Sequence, residues 1–169
     1  MARFDISKRP PVEKVRSLLD YDPLTGILRW KKNTGRAIKG REAGSIDPST
    51  GYHRTRIFGQ AIVSHHVIWA IMTGERPPEE VDHRTGKSNE WANLRKATRS
   101  TNMANRGAQP DTVTGTKGVS YHKVTGKWQA QIGFRKKNHY LGTFDTIEEA
   151  KAAYDVAAKH YFGEFARPA

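Results

Sequence analysis

Cysteine is absent from all 169 residues. That excludes disulfides and thiolate metal sites, so any metal would have to sit on nitrogen or oxygen ligands. Nothing in the composition speaks for an oxidising compartment. Long apolar runs are missing as well. Mean hydropathy is −0.75, and no stretch approaches the ~20 apolar residues of a membrane span. The opening residues, MARFDISKRPP, lack the apolar centre of a secretory leader. Acidic side chains are scarce: 17 Asp and Glu stand against 29 Lys and Arg, a net charge of +12. Such a field attracts polyanions and speeds encounter with them. With membrane disfavoured, DNA and RNA are the expected partners.

The charge is uneven. Residues 1–60 carry 13 basic and 6 acidic residues, residues 61–110 carry 7 and 5, and residues 111–169 carry 9 and 6. Four pieces are expected on this chain. Residues 1–60 read as a basic region with a short helix from Pro11 to Leu19, followed by β-hairpins. Asp22-Pro23 and Thr25-Gly26 turn into Ile27-Leu28-Arg29-Trp30. In Tyr52 to Phe58, Tyr52, Arg54 and Arg56 alternate with His53, Thr55 and Ile57, a strand whose basic face makes Arg54 and Arg56 candidate phosphate contacts. Residues 61–106 read as a compact unit. Ser64 can cap a helix through Val67, Ile68, Ile71 and Met72 that ends at Gly74. A short strand then ends in Val81-Asp82-His83, and Asn93-Leu94-Arg95 leads into a helix from Thr98 to Asn105.

Residues 107–116, GAQPDTVTGT, have the composition of a linker. Residues 117–169 read as three strands and one helix. Trp128, Ala130 and Ile132 alternate with Gln129, Gln131 and Gly133. Thr125-Gly126 signals a hairpin, and Arg135 to Asn138 forms a basic second turn. Thr146 with Glu149 three residues later makes a capping box. Ile147, Ala150, Tyr154, Ala157 and Tyr161 fall on one face of the helix, and Gly163 ends it. Trp128, Phe144 and Tyr154 are expected in the core.

Asp82-His83, Asn93-Leu94-Arg95 ten residues beyond His83, and Ala97-Thr98-Arg99-Ser100-Thr101-Asn102 form an ordered set. Together with Tyr21-Asp22-Pro23, Leu28-Arg29-Trp30, Ala43-Gly44-Ser45 and Ser64-His65-His66, it resembles the HNH nucleases of the His-Asn-Asn variety, found in phage and homing endonucleases. The resemblance covers about residues 20–106. It implies a ββα-metal fold with His83 as general base and Asn93 bracing the loop and orienting His83. Asp82 and Asn102, with Asn105 as the alternative, would ligate one Mg²⁺ or Mn²⁺ per active site. His65 and His66 are read as packing or hydrogen-bonding at the helix start.

Gly118-Val119, Gly126-Lys127-Trp128, Ala130-Gln131-Ile132, Tyr140-Leu141-Gly142-Thr143-Phe144 and Glu148-Glu149-Ala150 resemble the plant ethylene-response-factor (Apetala-type) DNA-binding domain. That resemblance implies a three-stranded sheet lying in the major groove, with the helix behind it. Its base and phosphate contacts would fall on Lys117, Ser120, His122, Gln131, Gly133, Asn138 and Tyr140. Several of these positions are Arg or Trp in the plant domains, so their target site does not carry over. Arg135, Lys136 and Lys137 can contact phosphate whatever the sequence.

The fold class expected is α+β: a ββα-metal HNH nuclease unit preceded by β-hairpins, plus a small three-stranded antiparallel sheet packed on one helix. The function expected is a metal-dependent endonuclease acting on double-stranded DNA, nicking one strand per monomer and working as monomer or homodimer. On the same resemblance it would be phage-encoded and sit in the cytoplasm of a bacterial host. The alternative is a non-catalytic, sequence-preferring DNA-binding regulator. A third reading is RNA binding.

Overall fold

Val12, Val15 and Leu18 recur at helical spacing after Pro11, and they are the buried face of α1 (Val12–Leu18). The computed structural model describes residues 10–107 and 114–167. Residues 1–9 and residues 108–113 of the expected linker lie outside the described residues. The chain divides into two compact units after Lys96, and the architecture is α+β with small antiparallel sheets.

In the N-terminal unit, β1 (Leu19–Tyr21) pairs antiparallel with β2 (Leu28–Trp30). The turn between them is fixed by Asp22, whose Oδ1 accepts the Leu24 N–H at 2.9 Å. Gly26 takes the left-handed φ of +74° that the turn requires. Strands β3 (Ser45–Ile46), β4 (His53–Ile57) and β5 (Gln60–Val63) form a second sheet in that order. In β4, Thr55 and Ile57 are buried and Arg56 is exposed, as period-two alternation requires. Helix α2 (Ser64–Thr73) follows and stops at Gly74, which is left-handed. Strands β6 (Glu80–His83) and β7 (Leu94–Ala97) make a two-stranded sheet.

A single core joins Val15, Leu18 and Leu28 to Ile57, Val67, Ile68, Val81 and Leu94. Residues 10–60 and 61–96 therefore pack together and do not form separate hydrophobic bodies. Two local expectations differ from the structure. Ser64 does not cap α2: it is the first helical residue, fully buried, with Oγ 2.7 Å from both His53 Nδ1 and Thr55 Oγ1. A buried hydroxyl needs a partner, and these two neighbours supply it. The helix expected from Thr98 is present, but between Asn93 and its cap the chain adds a short strand, Leu94–Ala97, that was not expected from the sequence.

The C-terminal unit runs from Ala97. Helix α3 (Arg99–Ala104) is capped by Thr98, which exchanges side-chain and backbone bonds with Thr101. Strands β8 (Val119–His122), β9 (Lys127–Phe134) and β10 (Lys137–Phe144) form an antiparallel sheet with β9 in the centre. Helix α4 (Ile147–Phe162) starts at the Thr146–Glu149 capping box and packs on one face of that sheet. Ala150, Tyr154 and Ala158 are its buried residues. They meet Val119, Ala130 and Ile132, with Trp128, Leu141 and Phe144 packed around them. Helix α3 falls in this unit, whereas β6 and most of β7 fall in the N-terminal one.

Candidate nucleic-acid interface

Alternation along β9 separates two faces. Trp128, Ala130, Ile132 and Phe134 turn towards α4, and Lys127, Gln129, Gln131 and Gly133 turn away. The antiparallel register carries this division to the neighbouring strands. Ser120 pairs with Gln129 and His122 with Lys127. Asn138 pairs with Gly133, Tyr140 with Gln131 and Thr143 with Gln129. Among the described residues, the open face of the three strands is thus a set of hydrogen-bonding side chains with one lysine, Lys127.

A β-bulge makes this face possible. Tyr140 opposes Gln131 and Gly142 opposes Ala130, so Leu141 is an extra residue in β10. Leu141 packs towards α4, and Thr143 is returned to the open face. Gly142 takes φ +139°, and a Cβ there would lie 2.9 Å from the Phe144 ring.

At one end, β9 and β10 join through a two-residue turn, Arg135-Lys136, with φ of +50° and +63°. Tight hairpins need left-handed residues at both places, and Asn-Gly is the favoured pair. Here two cations hold that strained geometry, and both are exposed. Of the acidic side chains, Glu148, Glu149 and Asp155 are on α4, whereas Asp145 pairs with the open-face Lys127 at 2.9 Å.

Several sequence candidates are placed differently. Lys117 does not present its ammonium to a ligand: Nζ donates to the carbonyls of Ala104 at 2.5 Å, Arg106 at 3.0 Å and Met103 at 3.4 Å. Desolvation lowers its pKa. His122 turns its ring onto its own hairpin, with Nδ1 2.9 Å from Thr125 Oγ1. Lys137 pairs with Phe134 and so starts β10 on the α4 side. Ser120, Gln131, Asn138 and Tyr140 are exposed on the open face. Tyr140 Oη is hydrogen-bonded to Thr143 Oγ1. Sequence reasoning missed Gln129 and Thr143. The alternation that exposed Gln131 also marks Gln129, whereas Thr143 is hidden by the bulge.

In the N-terminal unit, Arg54 Nε lies 3.1 Å from Asp47 Oδ2, and Arg56 Nη1 donates to the Gly59 carbonyl at 3.0 Å. Asp82 is buried, and its Oδ2 accepts from Arg95 Nε at 2.9 Å and Nη2 at 2.8 Å. His83 is buried, with Nε2 3.2 Å from Asn89 Oδ1 and its ring 4.9 Å from His65 and 5.7 Å from Tyr52. Burial lowers the His83 pKa, against smaller opposing effects of Asn89 and Asp82. Asn93 holds the loop that precedes it: Oδ1 accepts from Thr85 N, and Nδ2 donates to the Thr85 and Ser88 carbonyls, each at 2.8–2.9 Å.

Asn102 and Asn105 belong to the C-terminal unit. Among the described residues, no group of three or more His, Asp or Glu gathers in one place.

Residues 114–164 match the AP2 domain. The AP2-like segment contains the whole three-stranded sheet and α4. It is 53% identical over 49 residues to the ethylene-responsive transcription factor WRI1 of Arabidopsis thaliana, covering 28% of this chain and 11% of that protein. Another Arabidopsis relative, the AP2-like ethylene-responsive transcription factor AIL6, is 42% identical over 139 residues, 78% of this chain and 22% of that one. A rice relative, CRL5, is 53% identical over 49 residues, 28% of this chain and 8% of its own length. The chain thus spans about a fifth or less of the curated relatives it matches.

These comparisons correct the main expectation. The relatives are plant transcription factors, and several of them are named for the AP2 likeness that residues 114–164 also show. The endonuclease reading is therefore overturned, and with it the classification of the chain as an HNH hydrolase. The placement of the chain as a phage product in a bacterial cytoplasm falls on the same finding. Among the described residues, no helix is long and apolar enough to cross a membrane.

Proposed function

We propose that this chain is a sequence-preferring, non-catalytic regulator that holds duplex DNA against the open face of β8–β10. One observation carries the reading: a sheet face of hydrogen-bonding side chains whose one lysine, Lys127, is paired with Asp145, with Arg135 and Lys136 projecting from the turn at the opposite end. Cations contact phosphate without regard to sequence, and neutral donors and acceptors on a face that fits a groove read base edges. The AP2 match and the transcription-factor relatives support the same assignment.

Arg135 and Lys136 are the phosphate contacts. Ser120, Gln131, Asn138 and Tyr140 face the bases, with Gln129 beside them. Arg54 and Arg56 contribute at most weak phosphate contact, because each already has a partner in its own unit. One copy of the sheet is sufficient for the contact.

The test is fluorescence anisotropy of a labelled duplex with the full chain across a salt series. Affinity falls steeply with salt, and Arg135→Ala with Lys136→Ala lowers the slope of log affinity against log salt by up to about 2. Absence of duplex binding at low salt, an unchanged slope in the double variant, or tighter binding of single-stranded RNA than of duplex would each reject the proposal.

A further inference from the structure

The chemistry of the open face goes further than generic DNA binding. We infer that the sheet reads adenine, and that the preferred site contains A·T pairs two base-pair steps apart, recognised by Gln129 and Gln131. This inference rests on the DNA-binding reading above and specifies the sequence class that reading leaves open.

Carboxamides pair bidentately with adenine N6 and N7, whereas Arg and Lys take guanine O6 and N7. The open face carries three carboxamides: Gln129 and Gln131 on β9, and Asn138 on β10 diagonal to Gln131. Among the described residues, none of their side-chain amides takes part in a hydrogen bond, so their donors and acceptors are available. No arginine lies on this face. Its one lysine, Lys127, stands 2.9 Å from Asp145 at the hairpin end. The His122 ring is held by Thr125. The groups that select guanine are thus missing or engaged, and those that select adenine are presented.

Spacing adds the second element. Residues i and i+2 on one strand face stand about 7 Å apart. Successive phosphates along one DNA strand are separated by about 3.4 Å of helix axis, so Gln129 and Gln131 match alternate base pairs of a strand that follows the groove. The major groove, about 12 Å wide, accepts a two-stranded ribbon, and β9 with β10 is such a ribbon, with strands about 5 Å apart. Gly133 leaves space beside Asn138, whose Oδ1 would lie 3.5 Å from a Cβ at that position.

The experiment is selection of the full chain on a randomised duplex library, followed by affinity measurements on the winner and on versions with single A·T pairs changed to G·C. The expected winner contains two A·T pairs separated by one intervening pair. Changing either to G·C weakens binding about tenfold. Gln131→Ala removes the discrimination at one of the two positions. Gln131→Arg shifts that position towards guanine. The side chain at 131 is exposed, and a thermal unfolding scan of each variant checks that it folds. Winners rich in G·C, equal affinity for both versions, or an unchanged preference in Gln131→Ala would overturn the inference while salt-sensitive duplex binding stood. Loss of all duplex binding in the wild-type chain would overturn the DNA-binding reading as well.

Discussion

The two units treat polar side chains in opposite ways. The N-terminal unit draws them inside. Asp82, Arg95, His83, His65, Thr55 and Ser64 are all buried, and hydrogen bonds among them tie strands to helix. The C-terminal unit keeps its core to alanines, aliphatics and aromatics and displays its amides on the outside. A polar group placed in a core must be satisfied by its own fold. One left on an unpaired sheet face is available to something else. That difference, more than net charge, sets the unit with the proposed binding surface apart from the one whose polar side chains are drawn into its core.

The comparison breaks most sharply at Arg95. Arg95→Met strands a buried carboxylate and should cost about 3–5 kcal/mol, whereas joint replacement with Asp82→Leu should recover much of that loss. Denaturant unfolding of the two variants checks it, and equal losses would contradict the picture of a self-satisfying pair. Next is Gly118→Ala in the other unit. Gly118 has φ +68°, and a Cβ would sit 2.3 Å from the Tyr154 ring and 2.4 Å from the Gln131 carbonyl. A loss of about 3 kcal/mol, of the size that strain and overpacking give, should appear as faster amide exchange along β9. Arg135→Asn with Lys136→Gly relieves the strained turn and should stabilise the fold by about 1–2 kcal/mol. The same change should weaken duplex binding, so a thermal scan and an anisotropy titration should move in opposite directions. Thr146→Ala removes the cap of α4 and should cost about 1 kcal/mol.

The smallest effect is one of pH. Burial holds the His83 pKa below its ordinary 6.5, so the unfolded chain binds more protons than the folded one between those two values. Stability is then fully present above 6.5 and declines as pH falls through that window. Replacing His83 with Gln should flatten the acid side of the stability curve below pH 6.5.

Much of the AP2-like unit is legible in its residues because local and tertiary signals agree. The alternation in β9, the Thr146–Glu149 box and the apolar stripe of α4 all point to one packing. Reading failed where tertiary structure decided. Ser64 carries the chemistry of a cap, but His53 and Thr55 claim its hydroxyl. Thr143 stands on the wrong parity for the open face until the bulge at Leu141 corrects it. Lys117 reads as a free cation, and only the position of α3 shows that three carbonyls surround its ammonium. Asp82-His83 was the most persuasive pair in the sequence. Its carboxylate meets Arg95, a neighbour that motif spacing does not reveal.

Lys117 has a practical consequence. The family match begins at residue 114, but the carbonyls that receive this ammonium belong to Met103, Ala104 and Arg106. A fragment trimmed to the matched segment would keep the lysine and discard its acceptors. The homology boundary and the folding boundary are therefore different places on this chain, and a C-terminal half excised at Ala97 should hold together better than one excised at Thr114.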